Sequence, residues 1–196
     1  MVHVHDWDED ELTWACRGDR ESCIGAALKS ALYVATATIL ARNGGMLVHA
    51  SGWVRDGVAA VFFGPSGAGK STLIASAADH EYLSDEAVAL VRASSGWEAH
   101  GTPFTGSDTR PGSPRKSVLE GLYAVHQAEG GARVRCLSSA DAVHRLVRCV
   151  MLPSARGVTV SNVLGSVKDV VESGLVRAID VGRGVDPWPA IKAYGR

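Results

Sequence analysis

Residues 58–77 read VAAVFFGPSGAGKSTLIASA: an apolar strand-like run, a glycine-rich turn and the start of a helix. A strand feeding straight into a helix through such a turn commits this part of the chain to α/β structure. The turn, Gly64-Pro65-Ser66-Gly67-Ala68-Gly69-Lys70-Ser71, fits the phosphate-loop pattern in full, with the required strand before it and helix after it. At average residue usage the bare pattern arises by chance in a chain of this length on the order of once in a hundred. Its glycines let the backbone curl so that successive N–H groups point inward at phosphate oxygens, and the following helix adds its positive end. In this pattern Lys70 reaches the β- and γ-phosphates and the Ser71 hydroxyl ligates magnesium. Thr72 fits either a second phosphate contact or an ordinary first-turn residue.

Composition narrows the partners. The 196 residues suffice for one domain with a substantial core, and 46% hydrophobic residues is ordinary for a globular chain. A formal charge of -1, with both signs mixed along the sequence, offers no broad positive field, so neither nucleic acid nor an anionic membrane is expected as a partner. No apolar run reaches the roughly 20 residues of a membrane span. The opening MVHVHDWDEDELTW is acidic where a signal peptide is basic and then apolar, so a cytoplasmic protein is expected. Residues 1–20 read as an acidic, solvated segment and residues 21–196 as the folded domain. His3 and His5 beside acidic residues are weak metal candidates on that tail. Cys16, Cys23, Cys136 and Cys149 have neither zinc nor disulfide spacing and read as reduced structural thiols.

Periodicity supplies the elements. From Glu21 to Arg42, Ile24, Ala27, Leu28, Ala31, Leu32, Ala35, Ile39 and Leu40 recur at helical spacing, and Asn43-Gly44-Gly45 stops the helix. MLVHASGWV and VAAVFFG are strand-like runs joined at Asp56-Gly57, which favours a tight hairpin turn. The helix after the loop turns Leu73, Ile74, Ala77 and Ala78 inward. YLSDEAVALV and WEAHGTPF read as a hairpin through Ser94-Ser95-Gly96, and VLEGLYAVHQ and ARVRCL as another strand pair around AEGG. Ser138 and Asp141 resemble a capping box for a helix through Val143, Leu146, Val147 and Val150, ended by Pro153. A further helix from Val160 to Val171, a strand LVRAIDV and a short helix in DPWPAIKAY complete the chain. The sum is an α/β domain with antiparallel hairpins around a mixed sheet.

The string GPSGAGKSTL also occurs in transporter-type ATPases and guanylate kinases. The first carry a downstream LSGGQ-type signature that is missing here, and the second place the loop close to the N-terminus. Three elements in order, LVHASGWVRDGVAAVFFGPSGAGKSTL, LSDEAVAL and AHGTPF, resemble the HPr kinase/phosphorylase family and, more distantly, ATP-dependent phosphoenolpyruvate carboxykinase. The likeness spans roughly residues 46–105. It implies a single P-loop kinase domain of the HPr kinase/PEP carboxykinase-like class, with ATP and magnesium as cofactors. It further implies that His49 stands beside the loop near the metal and γ-phosphate, that Asp85 is the base for an acceptor hydroxyl, and that Glu86 with Ser71 holds the metal.

Such a set suits phosphoryl transfer, whose loose transition state needs positioning and charge neutralisation more than covalent help. Neighbouring strand residues point to opposite faces, so a strand end or bulge is expected at Asp85-Glu86 if both are to aim at one phosphate. Each residue also has an ordinary reading: a core histidine for His49, an exposed strand start for the two acids. Arg110, Arg115 and Lys116, in the Gly/Pro/Ser-rich segment from Thr105 to Lys116, are candidates to fold over the triphosphate, and His100 and Thr102 to line an acceptor pocket. The acid pair is Asp-Glu where the family has Asp-Asp, and the chain lacks the family's downstream Arg-Gly-containing signature and its separate N-terminal domain. Neither phosphorolysis nor HPr as acceptor is therefore expected. The expectation is an ATP- and magnesium-dependent kinase acting on a hydroxyl, most of all serine in a protein, a peptide or the free amino acid. The alternatives are a nucleotide-binding regulatory module or ATPase of the same fold, and a structural paralogue with a vestigial loop. Members of that family often assemble, which makes a homo-oligomer an expectation resting on resemblance alone.

Overall fold

A strand as apolar as residues 58–63 needs cover on both faces, and the chain provides it with helices. The computed structural model describes residues 2–8, 11–16, 20–76, 80–106, 112–152 and 160–195, with the backbone alone up to residue 24 and at 75–76. The chain begins with strands β1 (Val2–Asp8) and β2 (Glu11–Cys16), helix α1 (Arg20–Arg42), and strands β3 (Met46–Val48), β4 (Ala50–Arg55) and β5 (Val58–Phe63). Helix α2 (Lys70–Ser76) leads to β6 (Glu81–Ser84), β7 (Val88–Ala93), β8 (Gly96–His100), β9 (Lys116–Gln127) and β10 (Ala132–Cys136). Helices α3 (Ser139–Val147) and α4 (Val160–Glu172), strand β11 (Val176–Val181) and helix α5 (Trp188–Tyr194) follow.

Nine strands form one mixed, curled sheet, ordered β3-β7-β8-β9-β5-β4-β6, with β11 beside β9 and β10 beside β11. Strands β5, β9 and β11 are parallel to one another and the remaining pairs are antiparallel. Along β5, Val61 and Phe63 enter a core shared with Leu146 of α3 and Val163 and Val167 of α4, while Ala60 and Phe62 enter another with Leu73, Ile74, Trp188 and Ile191 of α2 and α5. Helices therefore cover both faces. The fold is α/β with a mixed sheet, as its sequence pattern leads one to expect.

Local chemistry accounts for the connections. Asp56 (φ 51°) and Gly57 (φ 80°) both take the left-handed region that a tight β4–β5 hairpin demands. Gly44 (φ 71°) follows the end of α1, where the Gly45 amide donates to Leu40 O at 2.8 Å. Ser138 caps α3 by accepting from the Asp141 amide at 3.1 Å and donating its own hydroxyl to Asp141 Oδ2 at 2.7 Å.

Several expectations change. VLEGLYAVHQ and ARVRCL do not pair: β9 takes β5 and β11 as parallel neighbours, and β10 lies beyond β11. The cause is burial, because β9 is apolar on both faces and belongs inside the sheet, whereas β10 leaves Arg133 and Arg135 exposed and suits an edge. Helix α3 stops at Val147, and Val150 bridges to Val48 in the sheet instead of continuing the helix. Pro153, Ala77 and Ala78 lie outside the described residues. On α1 the buried side chains are Ala37, Thr38 and Ala41, small enough for close approach to the sheet, while Leu28, Leu32 and Ile39 face solvent. Residues 1–20, read as a solvated tail, contain the antiparallel β1–β2 hairpin. Cys136 and Cys149 are free thiols, the first exposed and the second buried. Among the described residues no helix is long and apolar enough to cross a membrane.

Candidate functional site

Parallel sheets present their ligand sites where strands end at the carboxyl side. Strand β5 ends in the 64–71 loop, and β9 ends at Gln127 beside it. Gly67 (φ 79°) and Gly69 (φ 95°) hold left-handed conformations that a side chain would strain, so the loop curls as its pattern requires. At Gly64 a Cβ would stand 3.1 Å from Ala68 Cβ, which leaves little room for any other residue. The Gln127 side-chain amide donates to Gly67 O at 2.8 Å and ties the loop to β9. Lys70 is 7% exposed, with its ammonium donating to Gly64 O at 2.9 Å and Pro65 O at 3.1 Å. Burial pushes its pKa below the ordinary lysine value, and the nearby Glu86 carboxylate works against that shift.

Facing the loop are two interruptions in the sheet that lie opposite each other. The run 46–55 breaks at His49, which divides β3 from β4; the run 81–93 breaks at residues 85–87, which divide β6 from β7. On either side of the gap the two runs pair, Met46–Val48 with Val88–Leu90 and Gly52–Val54 with Glu81–Ser84. Across it the Ser51 hydroxyl donates to Asp85 O at 3.1 Å and the Ala50 amide to Glu86 O at 3.2 Å. Ser84 builds the bend: its hydroxyl donates to Phe104 O at 3.0 Å and accepts from the Glu86 and Ala87 amides at 3.2 Å each. The interruption expected at Asp85-Glu86 is present, and a second at His49 was not anticipated.

One cavity of about 360 Å³ collects the result, lined by His49, Ser66, Gly67, Gly69, Lys70, Ser71, Thr72, Asp85, Glu86 and Gln127. Of the loop residues and the three residues set by resemblance, His49, Asp85 and Glu86, all border it except Gly64, Pro65 and Ala68, which sit in adjoining cavities. Asp85 is buried and accepts from the Gly106 amide at 3.0 Å through Oδ1. A Cβ on Gly106 would fall 2.6 Å from Glu86 Oε2, so any larger residue here would require that carboxylate to shift. His49 Nδ1 lies 3.8 Å from Glu86 Oε1, with the imidazole 36% exposed. It is a cavity residue, not a core histidine.

Magnesium demands little from a protein: one or two carboxylates or a hydroxyl, with phosphates and waters completing the shell. Ser71 and Glu86, which both border this cavity, supply such groups, although no cluster of three or more histidine, cysteine or acidic side chains able to hold a metal occurs among the described residues. Near Glu86, Tyr33 of α1 stacks on Phe104 with ring centroids 3.9 Å apart, and its hydroxyl is buried. Burial first, then the Glu86 charge and hydrogen bonding toward that carboxylate, then the Asp85 charge, push the Tyr33 pKa up.

Other candidates fall elsewhere. His100 Nε2 contacts Glu98 Oε2 at 3.0 Å on β8, and the Thr102 hydroxyl donates to Ala87 O, so both serve the sheet and its turn. Arg115 pairs with Glu81 at 2.7 Å and Lys116 with Glu98 at 3.4 Å, away from the cavity. Arg110, like the side chains of His3, His5, Cys16 and Cys23, lies outside the described residues. Gln127 and Tyr33 were missed. Gln127 had a signal, since it ends an apolar strand where ligands gather; Tyr33, on a helix distant in sequence, had none. A third cavity, of about 270 Å³, adjoins the loop on the side of Ala68 and Thr72 and is closed by Ala128 and by Val181–Gly184 after β11. No family model matches the chain, and a search of curated proteins finds no match.

Proposed function

We propose that the protein is an ATP- and magnesium-dependent kinase of the HPr kinase/PEP carboxykinase-like class that transfers the γ-phosphoryl group to a hydroxyl, serine being the foremost candidate. The observation that carries this reading is the common cavity of Lys70, Ser71, Asp85, Glu86 and His49. A loop alone would fit any nucleotide binder; a buried acid facing it, on a bend that interrupts the sheet, fits transfer to an alcohol.

In this reading the amides of the 64–71 loop and the Lys70 ammonium hold the triphosphate, and the cavity by Thr72 and Gly182–Gly184 takes the nucleoside. Ser71 and Glu86 hold magnesium, which supplies charge neutralisation on the phosphate oxygens. Lys70 leaves the Gly64 and Pro65 carbonyls for phosphate oxygens, a stronger charge-assisted bond. Asp85 receives the acceptor's proton as the hydroxyl oxygen bonds to phosphorus and the bond to the ADP oxygen breaks. His49, beside Glu86, orients that carboxylate or the transferred group.

Incubation with γ-labelled ATP, magnesium and hydroxyl acceptors, including free serine and a cell extract, tests the reading. Label is expected on an acceptor. Label appearing only as free phosphate would instead make the protein an ATPase or nucleotide-operated switch, and absence of ATP binding would make the loop vestigial.

A further inference from the structure

A cavity of about 470 Å³ lies between the first half of the loop, Phe63–Ser66, and the end of α3. It shares His49 and Ser66 with the cavity that contains Asp85 and Glu86. Its floor is apolar, from Phe63, Ala124 and Val125, and its far wall carries His144, Arg145, Arg148 and Cys149. No acid lines it. Neither arginine pairs with a carboxylate among the described residues, whereas Arg55, Arg92, Arg115 and Arg135 each do.

Cations at a helix's carboxyl end are ordinary, since they offset the negative end of its dipole. That accounts for basic residues near position 148 but not for how Arg145 is held. Arg145 Nη1 contacts His126 Nε2 on β9 at 2.7 Å; an arginine can only donate, so the imidazole accepts and is neutral at that nitrogen. Burial, then Arg145 itself, keep the His126 pKa below its usual value, in keeping with that role. The Arg145 Nε is buried with no partner. A guanidinium held by a neutral partner, with a donor unspent and no acid lining the cavity, keeps its charge for something that enters there.

We propose that this cavity is the acceptor subsite and that Arg145 and Arg148 read an anionic group, carboxylate or phosphate, carried by the acceptor beside its hydroxyl. The assignment of the occupant as acceptor rests on the kinase reading; the preference for an anion rests on the cavity itself. A small hydroxy acid or hydroxyalkyl phosphate places its anion on the arginines, lays its carbon chain on Phe63 and Ala124, and presents its hydroxyl at the wall shared with the phosphate cavity. The volume is within the roughly 300–1,000 Å³ of small-molecule sites.

Glycerol, glycerate and glycerol 3-phosphate share one carbon frame and differ in the anion. Each is titrated into the full-length protein by calorimetry, with and without magnesium and a non-hydrolysable ATP analogue. At least one anion is expected to bind about tenfold or more tighter than glycerol, bidentate charge-assisted contacts being the strong ones. The preferred anion tells carboxylate from phosphate recognition. In Arg148→Gln, at an exposed position that the fold does not depend on, that preference is expected to shrink, and in Arg145→Gln with Arg148→Gln to vanish. Anions that bind no tighter than glycerol, or a preference that survives the double substitution, would overturn the proposal. If the ATP analogue does not bind but the anion preference is present and arginine-dependent, the kinase reading fails and the anion site stands.

Discussion

Asp85 is a buried carboxylate whose Oδ1 takes one backbone amide, from Gly106, at the edge of a cavity that also contains Lys70 and Ser71. Under the kinase reading it acts on the acceptor and not on ATP, so Asp85→Asn is expected to lower kcat by about 10²–10⁴-fold while ATP affinity changes little. Calorimetry with an ATP analogue beside a transfer assay checks both halves; an unchanged kcat would remove Asp85 from the mechanism. His126 provides a pH test at the same scale. Its folded pKa is depressed by burial and by Arg145, with Asp180 pulling the other way and Arg135 adding to the depression. The folded state therefore prefers the neutral ring, so this contribution to stability is present above the ordinary value of 6.5 and is lost as pH falls through the depressed folded value. Urea titrations across that window are expected to show a smaller acid-side loss in His126→Gln than in the parent.

At the scale of elements, the two facing interruptions matter more than any helix. Residues 46–54 read as one strand by composition and hydropathy, yet His49 leaves the ladder to donate its amide to Cys149 O at 2.7 Å. Residues 81–93 look equally continuous and are bent by the hydroxyl of Ser84, which gathers one carbonyl and two amides. Ser84→Ala strips those partners in a buried place and is expected to cost about 1–3 kcal/mol, measurable by urea unfolding. Because the bend aims Asp85 and Glu86, kcat is expected to fall further than ATP affinity. If kcat holds while stability drops, the bend is structural only. The bend at Asp85-Glu86 was legible because two adjacent acids with one task cannot share a regular strand; the break at His49 was not, because its cause is a carbonyl 100 residues downstream in sequence.

For the whole molecule, ligand and fold are thermodynamically one system. A ligand that binds only the native state stabilises it by about 2.7 kcal/mol at a hundred times its Kd, and for a domain of this size each kcal/mol raises Tm by roughly 2–4 °C. Magnesium-ATP is accordingly expected to raise Tm by about 5–10 °C at that excess. Chelation of magnesium should reduce the rise and Lys70→Ala should abolish it, both read by differential scanning calorimetry. A full rise in the Lys70 variant would mean that nucleotide binds elsewhere.

Short-range chemistry made much of this protein readable from its residues in order. Turn and cap chemistry at Asp56-Gly57, Gly44 and Ser138 acts between close neighbours, and the phosphate-loop pattern spans eight positions, so α/β character and the loop residues were evident. Strand neighbours and facing cavity walls are settled by competition over the entire chain. Strand β9 prefers β11 to the nearer β10 because an apolar strand gains most from burial on both faces, and its parallel pairing with β5 sets Gln127 beside the loop. The same long-range packing turns Leu28, Leu32 and Ile39 outward, draws Tyr33 to Glu86, and brings Arg145 and Arg148 to the mouth of a loop 80 residues earlier. Local pattern determines which elements form and what the loop is suited to hold; burial across the folded chain decides which side chains meet around it.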